Sequence, residues 1–153
     1  MSQTLSRAGL TADLVRRKVP VMTTIPASHR DLLGAQIAVL GTIGASGRPQ
    51  LSATWFLAEG DTVKLSLNTV RQKVKNLQVN PACSLIILGT PPYRYVELRG
   101  DAEITPDDDY AFADKVAAKY GSDLRTHDKP GEVRVVVTIR PTKVITWGGP
   151  AES

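Results

Sequence analysis

Cysteine and histidine are scarce in this sequence of 153 residues. Cys83 is its single cysteine, so no disulfide can form within the chain, and a reducing compartment such as the cytoplasm is expected. The only histidines are His29 and His127, so a zinc or iron site with three protein ligands would need carboxylates. We therefore predict no metal site. At this length a single core is large enough to fold without a metal or a disulfide.

Long hydrophobic runs and a strong excess of charge are also lacking. No apolar segment approaches the roughly 20 residues that a membrane-spanning helix needs, and the N-terminus has no uninterrupted apolar core like that of a signal peptide. A net charge of +4, from 19 Lys and Arg against 15 Asp and Glu, is too small to indicate nucleic-acid binding. We expect a soluble protein that neither inserts into membranes nor binds nucleic acid.

Residues 1–22 are polar and weakly patterned, which predicts an N-terminal extension, either a tail or a short helix. The compact domain is predicted to comprise residues 23–149. It begins with a short helix at residues 28–34, because Ser28 suits the N-cap and Asp31 stands in the capping-box position three residues later.

Six segments have the composition of β-strands. They are rich in apolar and β-branched residues and are bounded by Gly, Pro, Asn or Asp. Gly100 predicts a bulge or bend within the fifth segment, and Pro141 interrupts the sixth. The fourth segment is almost continuously apolar, which indicates burial on both faces. The predicted strands are residues 36–43, 49–57, 62–68, 82–88, 93–104 and 132–147.

Two longer helices are predicted between these strands. Residues 69–79 have helical apolar spacing and end at Asn80-Pro81, with an apolar side formed by Val70, Val74, Leu77 and Val79. Thr105 as N-cap and Pro106 at the first helical position predict another helix that stops at Gly121. Strands joined by hairpins dominate, so the fold class is mainly β, an antiparallel closed or partly closed barrel with flanking helices.

Positive side chains gather where the helix of residues 69–79 begins. Thr69 lies three residues before Gln72, the spacing of a capping box, which places a helix N-terminus directly after the third strand. Arg71 and Lys73 then lie in the first turn, where the helix dipole makes each cation unfavourable by some tenths of a kcal/mol. A bound anion removes this conflict, because free N–H groups, a forked guanidinium and an ammonium together suit a phosphate monoester. A solvated basic face is the alternative interpretation.

Four segments, taken in order, carry a family resemblance. They are residues 47–56 (GRPQLSATWF), 69–77 (TVRQKVKNL), 92–100 (PYRYVELRG) and 140–147 (RPTKVITW). Together they resemble the pyridoxamine 5'-phosphate oxidase-like split-barrel family, and within it the deazaflavin (coenzyme F420)-dependent oxidoreductase branch. The resemblance covers about residues 25–147 and implies a six-stranded antiparallel split β-barrel of the FMN-binding type.

The same resemblance implies a homodimer with two cofactor sites at the subunit interface. Members hold the cofactor phosphate with residues matching Arg71 and Lys73, and they lay the ring system along the strand matching residues 50–55. Arg94, Tyr95 and Trp147 would face the site from the partner subunit. The implied cofactor-binding residues are Gln50, Ser52, Ala53, Thr54, Trp55, Asn68, Thr69, Arg71, Gln72, Lys73, Asn76, Arg94 and Trp147.

The activity implied is that of an F420-dependent reductase, which transfers a hydride to a small electron-poor organic substrate. An FMN-binding flavoprotein and a non-catalytic F420 carrier are the alternatives, because FMN and F420 share a ring, a ribityl chain and a phosphate. The basic triplet at residues 16–18 suits the oligoglutamate tail of F420 or a solvated tail. The C-terminal strand lacks the Arg-x-His pair of true pyridoxamine-phosphate oxidases, so that substrate is not expected.

No catalytic residue is assigned from the sequence. Tyr93, Tyr95 and Ser52 are candidate proton donors by residue type alone, and both histidines are interpreted as surface residues. Cys83, in an apolar strand, is interpreted as a small buried apolar residue rather than a nucleophile. Trp55 is either a core residue or a wall of the ring pocket, and Asn76 has a structural interpretation as well.

Overall fold

The computed structural model describes residues 23–90 and 93–149, so the predicted N-terminal extension lies outside the described residues. Within them, eight strands dominate two α-helices and two short 3-10 helices. The strands are β1 (Ala38–Ile43), β2 (Pro49–Thr54), β3 (Leu57–Glu59), β4 (Thr62–Asn68), β5 (Ala82–Leu88), β6 (Tyr95–Pro106), β7 (Arg134–Ile139) and β8 (Lys143–Trp147). The helices are η1 (Ala27–Gly34), α1 (Gln72–Val79), α2 (Ala111–Tyr120) and η2 (Leu124–His127). None of these helices is long and apolar enough to cross a membrane.

The strands form one strongly curled antiparallel sheet in the order β2-β1-β5-β6-β7-β4-β3, with β8 also paired to β6. The long strand β6 joins the two halves, because Tyr95 to Asp101 pair with β5 and Ala102 to Pro106 pair with β7. The predicted antiparallel split barrel is therefore confirmed.

Gly100 lies just before β6 passes from one half of the barrel to the other, where the sequence predicts a bend. A Cβ atom at this position would stand 2.6 Å from the carbonyl oxygen of Arg140. Only glycine permits such a close backbone approach, so this residue fits the crossing point of the two half-sheets.

Two of the six predicted strands are each divided in the structure, which gives eight. Residues 132–147 separate into β7 and β8 around Pro141, whose missing N–H cannot extend the ladder. Residues 49–57 separate at Phe56, because side chains of α2 replace its ladder partners. The Tyr120 hydroxyl accepts from the Phe56 N–H at 3.0 Å, and Lys119 Nζ donates to the Phe56 carbonyl at 3.0 Å.

The capping box predicted at Thr69 and Gln72 is wrong. The helix α1 begins at Gln72 with Arg71 at the N-cap, and no side chain caps it. Gln72 instead donates from Nε2 to Asn76 Oδ1 at 2.9 Å, because its partner lies one turn later in the same helix. The predicted end of the helix at Asn80 is confirmed.

The helix start predicted at Thr105 and Pro106 is also wrong, because both residues belong to β6, and α2 begins at Ala111. The cap comes from Asp107, whose carboxylate accepts from the N–H groups of Phe112 and Ala113 at 3.1 and 2.9 Å. The predicted end at Gly121 is confirmed by its left-handed φ of +66°.

Two further expectations fail near the core. The predicted N-cap at Ser28 is wrong, since Pro26 occupies that position in η1 and Asp31 pairs with Arg94 instead. The expected burial of β5 on both faces is wrong, because one face is buried while the other is partly exposed and ends at Leu88.

The apolar side predicted for the helix of residues 69–79 is half right. Val74 and Leu77 are buried in the core, whereas Val70 and Val79 are exposed. Cys83 is buried as predicted, and burial raises the pKa of its thiol to about 12.

Candidate functional site

A cleft of about 280 Å³ opens where the ends of β2 and β4 meet the N-terminus of α1 and the short helix η2. Two of its residues, Arg71 and Lys73, carry cationic side chains at the start of α1. Its walls consist of aromatic, aliphatic and amide side chains. The lining residues are Ile37, Ala53, Thr54, Trp55, Ser66, Leu67, Asn68, Arg71, Lys73, Leu124, His127 and Arg134. This volume is near the lower end for small-molecule sites, and the cleft is open on one side.

Arg71 and Lys73 bring uncompensated positive charge to the cleft. Lys73 is half-buried and its Nζ donates to Ser52 Oγ at 3.3 Å. Burial, together with the neighbouring Arg71 guanidinium, lowers the pKa of Lys73. Among the described residues, no carboxylate lies within ion-pair distance of either cation. An anion bound between them would offset both the cost of burying the Lys73 charge and its repulsion by Arg71.

The backbone of α1 adds hydrogen-bond donors at the same place. The first helical N–H groups, those of Gln72 and Lys73, have no backbone acceptor among the described residues, because α1 begins only at Gln72. These amides and the positive end of the helix dipole favour an anion beside the two cationic side chains.

One wall of the cleft is aromatic and rigid. The Trp55 indole stacks on the Tyr120 ring with centroids 4.4 Å apart and planes 4° apart. The Tyr120 hydroxyl is held in turn by the Gln36 carbonyl at 2.9 Å. The His127 ring stands 6.4 Å from Trp55, tilted by 51°. A flat conjugated ligand would find a fixed apolar surface here.

The floor of the cleft rests on a buried ion pair between Arg134 and Asp128, whose side chains are 5% and 4% exposed. Asp128 also accepts from Asn68 Nδ2 and from the Tyr110 hydroxyl, each at 2.9 Å. Burial alone would raise the pKa of Asp128, but hydrogen bonds from Arg134, Asn68 and Tyr110 outweigh it and lower that pKa.

The orientation of the Asn68 amide follows from this network. Its Nδ2 donates both to Asp128 and to Glu132 Oε2, so the oxygen Oδ1 must point away from those carboxylates. Oδ1 has no hydrogen-bond partner among the described residues, nor has the Ser66 hydroxyl two residues earlier on the same face of β4. Both residues line the cleft, so its floor has polar groups without partners.

Comparison with known proteins identifies the family. The family model described as pyridoxamine 5'-phosphate oxidase matches residues 25–148, which include every strand and helix named above. The chain belongs to the pyridoxamine 5'-phosphate oxidase family.

Three solved structures share the fold of this chain. An F420 reductase is 33% identical, with a TM-score of 0.69 over 79% of this chain and 98% of that one. A conserved hypothetical protein from Mycobacterium tuberculosis is 24% identical, with a TM-score of 0.68 over 86% and 92% of the two chains. HupZ from Group A Streptococcus is 20% identical, with a TM-score of 0.65 over 84% and 99%. The last two show the fold alone.

The structure gathers about half of the residues that the resemblance to the pyridoxamine 5'-phosphate oxidase family implies. Those that line the cleft are Ala53, Thr54, Trp55, Asn68, Arg71 and Lys73. Ser52 is adjacent through Lys73. Trp55 lines the cleft and also packs against the buried cluster of α2, so the structure gives it a part of both interpretations.

Other implied residues support α1 from below rather than line the cleft. Asn76 Nδ2 donates to Thr42 Oγ1 and to Gln50 Oε1, both at 3.0 Å, while Gln72 donates to Asn76. The Thr69 N–H is bound by the Val133 carbonyl at 3.0 Å. These contacts give Asn76 the structural role that was its second interpretation.

Arg94 and Trp147 lie elsewhere in the chain. Arg94 is buried, and it donates to both carboxylate oxygens of Asp31 and to the carbonyls of Ser28 and Gly149. Trp147 is 62% exposed, and its carbonyl lies 3.0 Å from His29 Nε2. Within one chain, neither reaches the cleft.

The interpretation of His29 as a surface residue is wrong, because it is 3% exposed. Both of its ring nitrogens have partners, Ser28 Oγ at 2.8 Å and the Trp147 carbonyl. A buried imidazole is tolerated when both nitrogens are hydrogen-bonded.

Sequence reasoning missed six cleft residues: Ile37, Ser66, Leu67, Leu124, His127 and Arg134. Alternation along β4 was an available signal for Ser66, since it shares a face with Asn68. Arg134 was visible as the charged residue that opens a valine-rich strand. Nothing local indicates His127, which is exposed as predicted but stands at the cleft.

Proposed function

We propose that this protein is an F420-dependent oxidoreductase that transfers a hydride from reduced deazaflavin to a small electron-poor organic substrate. The observation that carries the proposal is the pair Arg71 and Lys73, two cations without a carboxylate partner among the described residues, beside free helix amides. The 33% identity to an F420 reductase favours deazaflavin over FMN.

The residues of the cleft fit such a cofactor. Arg71, Lys73 and the first amides of α1 would hold its phosphate, because together they offer a fork, a point charge and oriented N–H donors. Trp55 would lie against the conjugated ring, and the Asn68 side chain would line the cleft below the ligand. When bound and reduced, F420 supplies the hydride. The stacked Trp55 and Tyr120 rings would keep water from one side of the reacting centre.

Titration decides the cofactor. Purified protein should bind F420 with a dissociation constant well below millimolar and bind FMN much more weakly, as followed by competitive fluorescence. The reverse preference would indicate an FMN flavoprotein, which should purify yellow. Arg71, Lys73 and the first amides of α1 would hold the phosphate of FMN equally well. A protein that binds neither cofactor would contradict the proposal.

A cytoplasmic location fits the near absence of cysteine.

Turnover separates an enzyme from a carrier. With reduced F420 bound, quinones, enones and tetrapyrroles are suitable test substrates, since each has an electron-poor double bond. Tight binding of F420 without reduction of any of them would favour a non-catalytic carrier.

We further propose that the protein is a homodimer with the cofactor sites at the interface. An exposed apolar patch on the outer face of the sheet supports this: Ile86, Leu88, Tyr93, Tyr95 and Trp147 lie together there. Leu88, Tyr93 and Trp147 are 51%, 79% and 62% exposed, which is unusual for large apolar side chains that cluster. A second copy that covers this patch would also bring Trp147 to the interface. Trp147 is one of the cofactor-binding residues that the family resemblance implies.

Sedimentation equilibrium tests the dimer. The protein should sediment with about twice the chain mass of 16.5 kDa, and Leu88→Glu should shift it to the monomer, because a buried carboxylate at an apolar interface is strongly unfavourable. Val79→Glu is the matched control, since Val79 is 83% exposed at the far end of α1. A monomeric wild type, or a dimer unaffected by Leu88→Glu, would exclude this interface.

A further inference from the structure

His127 is the one imidazole among the residues that line the described cleft, and its two ring nitrogens allow it to donate or accept a hydrogen bond or a proton. Four of the other polar cleft residues have other tasks. Arg71 and Lys73 face the expected anion, and the Thr54 hydroxyl donates to the Trp55 carbonyl at 3.1 Å. Arg134 is held by Asp128.

The backbone of His127 is anchored on both sides. Leu124, at the start of η2, is buried against Phe112 and Val116 of α2. Asp128, the next residue, is fixed by the buried ion pair below the cleft. The backbone that carries the imidazole is therefore held in place, while the ring is exposed at the rim of the cleft. This arrangement suits a group that contacts a ligand and then exchanges a proton with water.

The ring has one nitrogen engaged and one free. Nε2 lies 3.3 Å from Ser122 Oγ, whereas Nδ1 has no hydrogen-bond partner among the described residues. The neighbouring charges are already paired with residues of other elements: Arg125 binds Asp114 of α2, and Asp128 binds Arg134 of β7. Of the charged residues that line the described cleft, only Arg71 and Lys73 have no carboxylate partner.

We propose that His127 is a catalytic residue that supplies the proton accompanying hydride transfer. The inference rests on the proposed reductase function and names the acid that the sequence left unassigned. For an enone, the hydride adds to the β-carbon and the π electrons move to the carbonyl oxygen. The N–H bond of the imidazolium breaks as the O–H bond of the enol forms. The substrate gains two electrons that the cofactor loses, and the imidazole regains a proton from water at the open rim.

The test compares His127→Gln with the wild type, using cyclohex-2-enone as substrate and 4-nitrophenol as a stable analogue of the enolate. Glutamine retains hydrogen bonding but cannot exchange a proton in this way. We expect F420 affinity and melting temperature to stay close to the wild-type values, and enone reduction to fall by about 10²-fold or more. Bound nitrophenolate should absorb at a shorter wavelength in the wild type than in the variant, because an imidazole N–H is a stronger donor to the phenolate oxygen than the glutamine amide. Lys129→Gln, an exposed change in the following loop, is the matched control and should leave all four measurements unchanged.

The outcomes separate the two proposals. Failure of the wild type to bind F420 or FMN defeats the proposed function itself. If cofactor binds but His127→Gln reduces enone and shifts nitrophenolate like the wild type, His127 is not the acid. A wild type that leaves the nitrophenolate spectrum unchanged overturns the inference too. So does a variant that loses F420 affinity, since His127 would then bind the cofactor instead.

Discussion

Replacing both Arg71 and Lys73 with alanine should weaken F420 binding by about 3–6 kcal/mol, which is roughly 10²–10⁴-fold in the dissociation constant. Each charge-assisted hydrogen bond to a phosphate contributes about 1.5–3 kcal/mol. The two residues lie on one cleft, where the described part of the chain offers their side chains no competing carboxylate. Fluorescence titration of the double variant measures the loss directly, and FMN binding should fall in parallel because it shares the phosphate.

Lys75→Ala is the control for this double variant. Lys75 is exposed on the same helix and does not line the cleft, so its removal changes net charge without removing a phosphate contact. The double variant should also unfold at a temperature no lower than the wild type. Burial and Arg71 lower the pKa of Lys73, so the protonated amine destabilises the folded state at every pH below that lowered pKa. An unchanged affinity in a folded double variant would refute the phosphate site.

The features that sequence predicted correctly are those set by neighbouring residues. Asn80-Pro81 and Gly121 end their helices because each acts on the chain immediately before it. The divided last strand follows from the missing N–H of Pro141, and Gly100 indicated a bend because a glycine weakens the strand that contains it. Such local chemistry can be interpreted without the fold.

The failures arise where a distant partner decides. Thr105 and Pro106 suit a helix start as well as the end of a strand, and pairing with β7 selects the strand. The capping group of α2 is then Asp107, five residues before the amide that it binds. His29 becomes a core residue only because the C-terminal strand brings the Trp147 carbonyl to its ring.

The same distinction applies to the cleft. Arg71 and Lys73 lie two residues apart, so the sequence alone placed both cations at the start of one helix, with an anion site and a solvated basic face as the two interpretations. Arg134 reaches the floor because β7 pairs with β4 and places it opposite Asn68. His127 depends on the docking of η2 against α2. No local pattern in the sequence indicates the pairing of β7 with β4 or the packing of η2 against α2.

Asp128→Ala should destabilise the fold by about 3–5 kcal/mol, the cost of leaving a buried charge without its partner. Arg134 would keep its guanidinium in a site 5% exposed, and Asn68 and Tyr110 would each lose an acceptor. Urea unfolding measures the change. Glu103→Gln, which breaks the exposed pair with Arg140, is the matched control and should cost no more than about 1 kcal/mol. Equal losses in the two variants would contradict the structural role of the buried pair.

The pH dependence of this loss has a definite sign. The folded-state pKa of Asp128 lies below the ordinary value of about 3.9, so its contribution is complete above that value and disappears as the pH falls through the lowered one. The stability difference between wild type and Asp128→Ala should therefore be constant at neutral pH and shrink only in strong acid. Because Asp128 also fixes the Asn68 amide at the floor of the cleft, the variant should lose cofactor affinity before it unfolds. This links the stability of the floor to the function of the cleft.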